Sequence, residues 1–160
     1  MAKIERKYLA HYINTAESGM ENYERLGYDL EEFSPELSAQ VDTKKNILGQ
    51  TQVMISSYEK TGAVEPYYAV EESALFARLQ KIIDEGLVLD ALRTYVVEVK
   101  LWGADEGSTT FPAIREEAYI EVTSYGGDTT GYQIPFKLHF TGIKTKGTFD
   151  VNERTFTAEN

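Results

Sequence analysis

A glycine-rich segment, GGDTTG at residues 126–131, is the part of this chain that most resembles a phosphate-binding loop. Phosphate-binding P-loops end in a lysine followed by serine or threonine, and they lead from a strand into a helix. This segment lacks that ending and lies between two runs of alternating apolar and polar residues. It is therefore predicted to be a turn between two strands, with no nucleotide bound.

His11 and His139 are the residues best suited to bind a transition metal. They lie far apart in the sequence, and neither has a second ligand at metal-binding spacing. The chain has no cysteine, so disulfides, thiolate catalysis and Cys-based metal sites are excluded. We expect no metal and no cofactor, and we predict surface histidines, with His139 on the polar face of its strand.

Adjacent acidic residues are the remaining candidates for catalysis, as the paired carboxylates of a glycosidase. They occur at Glu31/Glu32, Glu71/Glu72, Asp84/Glu85 and Glu116/Glu117. Neighbours in a strand point to opposite faces, so the pair at 116 and 117 is poorly placed, and a solvated surface is the expectation for all of them. No Gly-x-Ser-x-Gly motif is present. The chain is predicted to have no catalytic residue and not to be an enzyme.

Composition indicates a folded, acidic protein. The 160 residues are 42% hydrophobic and 12% aromatic, with a formal net charge of −10. A general nucleic-acid binder would be basic, so sequence-independent phosphate binding is disfavoured. The N-terminus carries charges and no apolar core, which argues against a signal peptide, and no apolar run approaches the length of a membrane span.

Hydrophobic periodicity predicts a mainly β fold with one helix. Leu75, Phe76, Leu79, Ile82 and Ile83 recur at helical spacing, with Ser73 as N-cap and Gly86 as stop, which predicts a helix over residues 73–85. Most other segments alternate with the period of a strand. The predicted architecture is an antiparallel β-sandwich or half-barrel with one flanking α-helix, in a single domain over residues 1–160.

Several strand boundaries follow from the same patterns. Residues 6–14 are predicted to be a strand or part of an N-terminal arm that spans residues 1–20. Further strands are expected at the ranges 23–28, 36–45, 50–58, 95–101, 114–122, 132–140, 146–151 and 154–158. Residues 61–66 are predicted to be a connection and residues 103–110 a polar loop. Pro135 cannot donate to a ladder, which predicts an edge or a bulge there.

Three stretches together resemble the tail tube (major tail) proteins of long-tailed phages and prophages of Gram-positive bacteria. They are YERLGYDLEEFSPELSAQVDTKKNILGQTQV (23–53), VEPYYAVEESALFARLQKIIDEG (64–86) and EEAYIEVTSYGGDTTGYQIPFKLHFTGIKTKGTFDV (117–151). The resemblance spans nearly the whole chain in order, although no single motif is catalytic. It implies the sandwich fold shared by phage tail tubes and the tubes of type VI secretion.

The resemblance also implies a function and partners. Six subunits would form a ring, and rings would stack into a hollow tube that conducts DNA from the capsid without binding it specifically. Six copies at −10 would give about −60 per ring, which would repel phosphates from the lumen. The other partners would be the tape measure, terminator and baseplate or distal tail proteins. The expected location is the virion tail, assembled in the host cytoplasm, with no membrane partner.

The resemblance implies that contacts between subunits lie in long loops and terminal arms. The candidates are Lys44, Lys45 and Asn46, where a basic pair could meet an acidic patch on the next ring, and the adjacent Tyr67 and Tyr68. A solvated hairpin tip and half-buried packing are the respective alternatives. For the chain as a whole, the alternatives are a tail terminator, a head–tail connector subunit, or a carbohydrate-binding β-sandwich that uses exposed tyrosines.

Overall fold

Alternating apolar and polar residues build one large antiparallel sheet with a helix packed on it, and the predicted fold class is confirmed. The structure is a computed structural model that describes residues 2–27, 30, 32–103 and 106–159. Its strands are β1 (Leu9–Asn14), β2 (Tyr23–Leu26), β3 (Glu36–Lys45), β4 (Thr51–Val64), β5 (Arg93–Lys100), β6 (Thr110–Val122), β7 (Gly126–Asp128), β8 (Gly131–Gln133), β9 (Phe136–Asp150) and β10 (Thr155–Ala158), and its helix is α1 (Ala74–Glu85). Residue 28 of the predicted second strand, Glu31 of the first acidic pair, and residues 104 and 105 of the predicted polar loop lie outside the described residues.

The sheet has the strand order β2-β1-β5-β6-β9-β4-β3, and β10 joins it by pairing with the end of β9. On one of its sides, the long strand β9 therefore pairs with two strands: with β4 along residues 136–139 and with β10 along residues 147–150. The ring centroids of Tyr12 on β1 and Phe149 on β9 lie only 4.5 Å apart, although β5 and β6 separate these strands in the sheet. The sheet consequently coils back on itself as a half-barrel.

The two faces of the sheet carry separate cores. On one face, Ile13, Val96, Ile120 and Leu138 form a cluster with Leu75, Leu79 and Ile82 of α1. On the other face, where the sheet coils, the cluster consists of Ala10, Tyr12, Tyr23, Val97, Val99, Ala113 and Phe149. Side chains alternate between faces along a strand, so each central strand contributes to both cores. We call the face that carries α1 the helix face.

The ends of α1 follow the sequence signals, and the predicted helix is confirmed. Ser73 is the N-cap, and its hydroxyl accepts a hydrogen bond from the Phe76 N–H at 3.3 Å. The same hydroxyl donates to Glu24 of β2 at 2.7 Å, and Glu24 also accepts from the Leu75 N–H. Gly86 ends the helix with φ +61°, a left-handed conformation that glycine adopts without strain. A carboxylate on the sheet thus fixes the start of the helix.

Arg78 connects the middle of α1 to the sheet. Its side chain is only 3% exposed, and burial lowers the pKa of its guanidinium. It donates to the carbonyls of Asn14 and Ala16, to the Thr94 hydroxyl and, at 2.6 Å, to the Arg93 carbonyl. The guanidinium therefore joins the end of β1 and the start of β5, and all four acceptors are neutral oxygens.

Two predicted strand boundaries are wrong. Residues 61–64, predicted as a connection, continue β4 and pair with β9, because Gly62 and Val64 face the core. The predicted strand over 132–140 is interrupted at residues 134 and 135, where β8 ends and β9 begins. Pro135 accordingly donates nothing to the ladder, and its carbonyl accepts from the backbone and side chain of Thr123. The strands predicted at 114–122 and 146–151 both begin earlier, within longer strands.

Candidate assembly surface

Strands β3 and β4 form a long hairpin that leaves the rest of the sheet. We use "the hairpin" for residues 36–60 and "the body" for the other described residues. Asn46 shapes the turn, because its side-chain oxygen accepts from the N–H groups of Leu48 and Gln50, both at 3.0 Å. Gly49 supplies the positive φ of +78° that closes the turn. Along residues 51–60, β4 pairs with β3 alone.

The register gives the hairpin one apolar and one polar face. The register shifts between Gln40, which pairs with Ser57, and Val41, which pairs with Ile55, so Ser56 is the extra residue of a bulge. The bulge brings Tyr58 onto the same face as Ile55. We call the large apolar residues of this face the apolar stripe: Leu37, Val41, Val53, Ile55 and Tyr58. The opposite face is mostly polar, with Ser38, Gln40, Asp42, Gln52, Ser57 and Glu59.

The apolar stripe is exposed and continues the helix face of the body. Each of its five side chains is between 51% and 61% exposed, and Ile47 and Leu48 at the turn are more exposed still. Lys60, Gly62 and Val64 follow on the same side of β4, and Val64 is fully buried in the helix-face core. A contiguous exposed apolar strip of this kind marks an interaction surface. The core face therefore extends beyond the body with nothing from the described chain covering it.

Lys44 and Lys45 lie at the outer end of β3, next to the turn that Asn46 shapes. Lys44 pairs with Gln52 and Lys45 with Thr51, so the two ammonium groups point to opposite faces of the hairpin. Lys45 shares the face of the apolar stripe, and Lys44 lies on the polar face. The predicted basic pair is thus divided between two surfaces, and its contact role remains a prediction.

Reversing these charges separates the two faces experimentally. If the stripe face contacts another subunit, Lys45→Glu should slow assembly more than Lys44→Glu does, and the double variant should block it. The expected results are absent tubes for the double variant by electron microscopy and a slower rise in light scattering for Lys45→Glu. Tubes of normal length from the double variant would refute the contact role of this pair.

Tyr67 and Tyr68 lie on the body. The Tyr67 ring packs edge-on against Phe136 at 5.7 Å, its hydroxyl lies 3.3 Å from the Ser73 hydroxyl, and burial raises its pKa. Tyr68 is half-buried and forms an isolated bridge with Gln133. None of their hydrogen bonds within the described chain reaches the hairpin. The structure therefore does not bring them together with Lys44, Lys45 and Asn46.

The prediction of surface histidines and solvated acidic pairs is wrong in two places. His139 is exposed, 3.5 Å from Glu121, as expected. His11, however, is buried with its Nε2 3.3 Å from Glu98 Oε2, and Glu116 is also buried. Glu116 and Glu117 point to opposite faces of β6, as predicted. Glu116 is the one that lies on the buried face. Among the described residues, no group of three or more His, Asp or Glu is placed to hold a metal ion.

Comparison with known proteins adds no family. No model of a known protein family matches the chain, and no curated protein matches it. The helices of the described residues are α1 and a few shorter helical turns, and none of them is long and apolar enough to cross a membrane. Functional inference therefore depends on the hairpin and on the resemblance described above.

Proposed function

We propose that this protein is the structural subunit of a phage tail tube, which assembles into hexameric rings that stack around a DNA-conducting channel. The observation that carries the proposal is the hairpin, whose apolar stripe is exposed along its whole length. The resemblance of residues 23–53 to tail tube proteins includes most of that hairpin. A partner that covers the stripe is best supplied by a second copy of the chain, since the stripe extends the subunit's own core face.

The strand edges favour the same arrangement. β2 and β3 are the edge strands of the sheet, and the β9 residues between the β4 and β10 pairings have no strand beside them, within the described chain, on the side away from β6. Unpaired strand edges are a liability for a free protein, and closing them in a ring removes it. A ring of identical subunits can pair such edges in a regular way.

The magnitudes favour many simultaneous contacts over a dimer. Completing the burial of five half-exposed apolar side chains is worth about 1 kcal/mol each, or roughly 5 kcal/mol in all. Association costs about 4–15 kcal/mol in lost translational and rotational freedom. One hairpin contact is therefore close to balance, and assembly becomes stable only when each subunit makes several contacts in a ring and stack.

Negative-stain electron microscopy of the purified protein, fresh and after concentration and long incubation, tests the proposal. Hollow tubes or stacked rings are expected. Single rings that never stack would instead support a terminator or connector. A stable monomer that binds glycans would overturn the proposal in favour of a carbohydrate-binding domain.

A further inference from the structure

Charged residues that are buried or partly buried meet where the hairpin joins the body. Lys60 is the last hairpin residue, and the next residue, Thr61, begins the pairing with β9. The Lys60 Nζ lies 2.6 Å from Glu116 Oε1 on β6 and 3.8 Å from Glu98 Oε2 on β5. It also lies 4.7 Å from the ring centroid of Phe140. One hairpin side chain thus contacts two neighbouring strands of the body.

His11 completes this group, which we call the charge cluster: His11, Lys60, Glu98 and Glu116. An ionised carboxylate only accepts, so the Nε2–H of His11 donates to Glu98. The imidazole is held edge-on against the Phe33 ring at 4.8 Å. Three neighbouring groups also face the cluster: Lys100 acts on Glu98, Lys144 pairs with Glu116 across the strands, and Tyr58 shares the face of Lys60.

Charge balance makes Lys60 the critical member. The cluster holds two carboxylates and one ammonium, and Glu116 is only 4% exposed. The second oxygen of Glu116, Oε2, has no hydrogen-bond partner among the described residues. Removing the ammonium would leave a buried carboxylate without a counter-charge, which proteins tolerate poorly. The contact between Lys60 and Glu116 is therefore strongly favoured at neutral pH.

The rest of the hairpin lacks such restraints. Beyond Lys60 its strands pair only with each other, and its side chains are exposed on both faces. A two-stranded ribbon attached at one end can swing about its base unless a side chain ties that base to the body. Lys60 provides this tie across the helix face, in line with the apolar stripe.

We propose that the charge cluster fixes the angle at which the hairpin leaves the body, and that acid loosens this restraint. The consequence for assembly rests on the proposed function, since a fixed angle orients the apolar stripe before subunits meet. The angle itself is a property of a single subunit. Its test can therefore fail independently of the test for tubes.

The direction of the pH effect follows from Glu98. The hydrogen bond from His11 lowers the pKa of this carboxyl, burial opposes that shift, and the nearby charges of Lys60 and Lys100 reinforce it. A lowered folded-state pKa gives stabilisation that is complete above the ordinary value near 4.5 and is lost as the pH falls through the folded value. The hairpin should therefore be held most firmly at neutral pH and less firmly in acid, below about pH 4.5, where Lys60 keeps only its contact with Glu116.

Electron–electron spin distance measurements test the proposal, because the chain has no native cysteine to compete for labels. Labels at Gln52→Cys near the turn and Glu85→Cys at the end of α1 report the hairpin relative to the body. The sample is kept at a concentration where light scattering shows monomers. At pH 7 the otherwise unchanged protein should give one narrow distance distribution, which widens in acid.

Three variants test whether the contacts of Lys60 are what keeps the distance distribution narrow. Combining Lys60→Met with Glu116→Gln removes one positive and one negative charge, so the net charge of the cluster is unchanged and the fold is retained while the tie is removed. This variant should give a distribution roughly twofold wider at pH 7, with no further widening in acid. Lys60→Arg and the control Lys45→Met, on the same hairpin face, should stay narrow. If the double variant gave a distance distribution as narrow as that of the parent protein, the proposal would be overturned.

Discussion

Replacing Val53 and Ile55 together with lysine is expected to abolish assembly and leave the subunit folded. Both side chains lie on the apolar stripe and are more than half exposed, so the free subunit loses little packing. In an interface, however, two lysines would have to be desolvated against apolar surface, which costs several kcal/mol. Burial of the whole stripe gains roughly 5 kcal/mol, and the cost of association offsets most of this gain. The remaining gain is therefore smaller than the cost of desolvating the two lysines.

A matched control places the same two charges on the other face. Ser38→Lys with Ser57→Lys adds them to the polar face of the same hairpin, where both parent residues are exposed. Tubes should be missing for the stripe variant and present for the control, with similar circular dichroism and melting temperature for both. Assembly of the stripe variant at the parent concentration would show that the stripe is not the contact surface.

Arg78→Met is expected to lower the free energy of unfolding more than any other single substitution proposed above. Methionine has a similar length but leaves the Arg93 carbonyl without its side-chain donor and the Asn14 carbonyl with only the Thr94 hydroxyl. We expect the free energy of unfolding to fall by about 3 kcal/mol or more, out of a total of about 5–15 kcal/mol. Urea denaturation followed by circular dichroism measures this change.

Two further variants separate charge from geometry. Arg78→Lys keeps the charge, but a single ammonium cannot reach acceptors on both β1 and β5, so its loss should be intermediate. Lys81 lies on the same helix as Arg78, and Lys81→Met removes only an exposed ion pair with Glu17, so it should change stability little. An Arg78→Met protein with the urea midpoint of the parent would contradict the role given to the guanidinium.

The helix was predictable because its signals are local. Leu75, Leu79 and Ile82 repeat at helical spacing, and Ser73 and Gly86 have cap chemistry that acts within one turn. Antiparallel sheet was predictable for the same reason, since alternation over a few residues is enough to indicate it. The sequence also placed a turn near Asn46 and Gly49, and the register of the hairpin follows from it as far as the bulge at Ser56.

The exposure of the hairpin was not predictable from alternation. Val53 and Ile55 are two apart in a predicted strand, as Val97 and Val99 are, yet the first pair is exposed and the second is buried. Alternation says which side chains share a face, and only the tertiary fold decides whether another element covers that face.

The charge cluster escaped prediction for a related reason. Its four residues come from four separate strands, and Glu116 resembles any other acidic residue in an acidic pair. Glu116 shares the face of Ile114, Ala118 and Ile120, but alternation does not show which distant strand supplies its counter-charge. A buried lysine contact between distant strands leaves no periodic signal.

The order in which strands pair has a consequence for synthesis of the protein. β3 and β4 are neighbours in the chain, so their hairpin can form as soon as both have left the ribosome. β1 must wait for β5, and β4 must wait for β9 near the C-terminus, before the body can close. The stripe most able to self-associate is thus present on nascent chains that do not yet have a body. We therefore expect aggregation to begin between nascent chains on the same polysome, where exposed hairpins are close together. Slower expression at a lower temperature should raise the soluble yield.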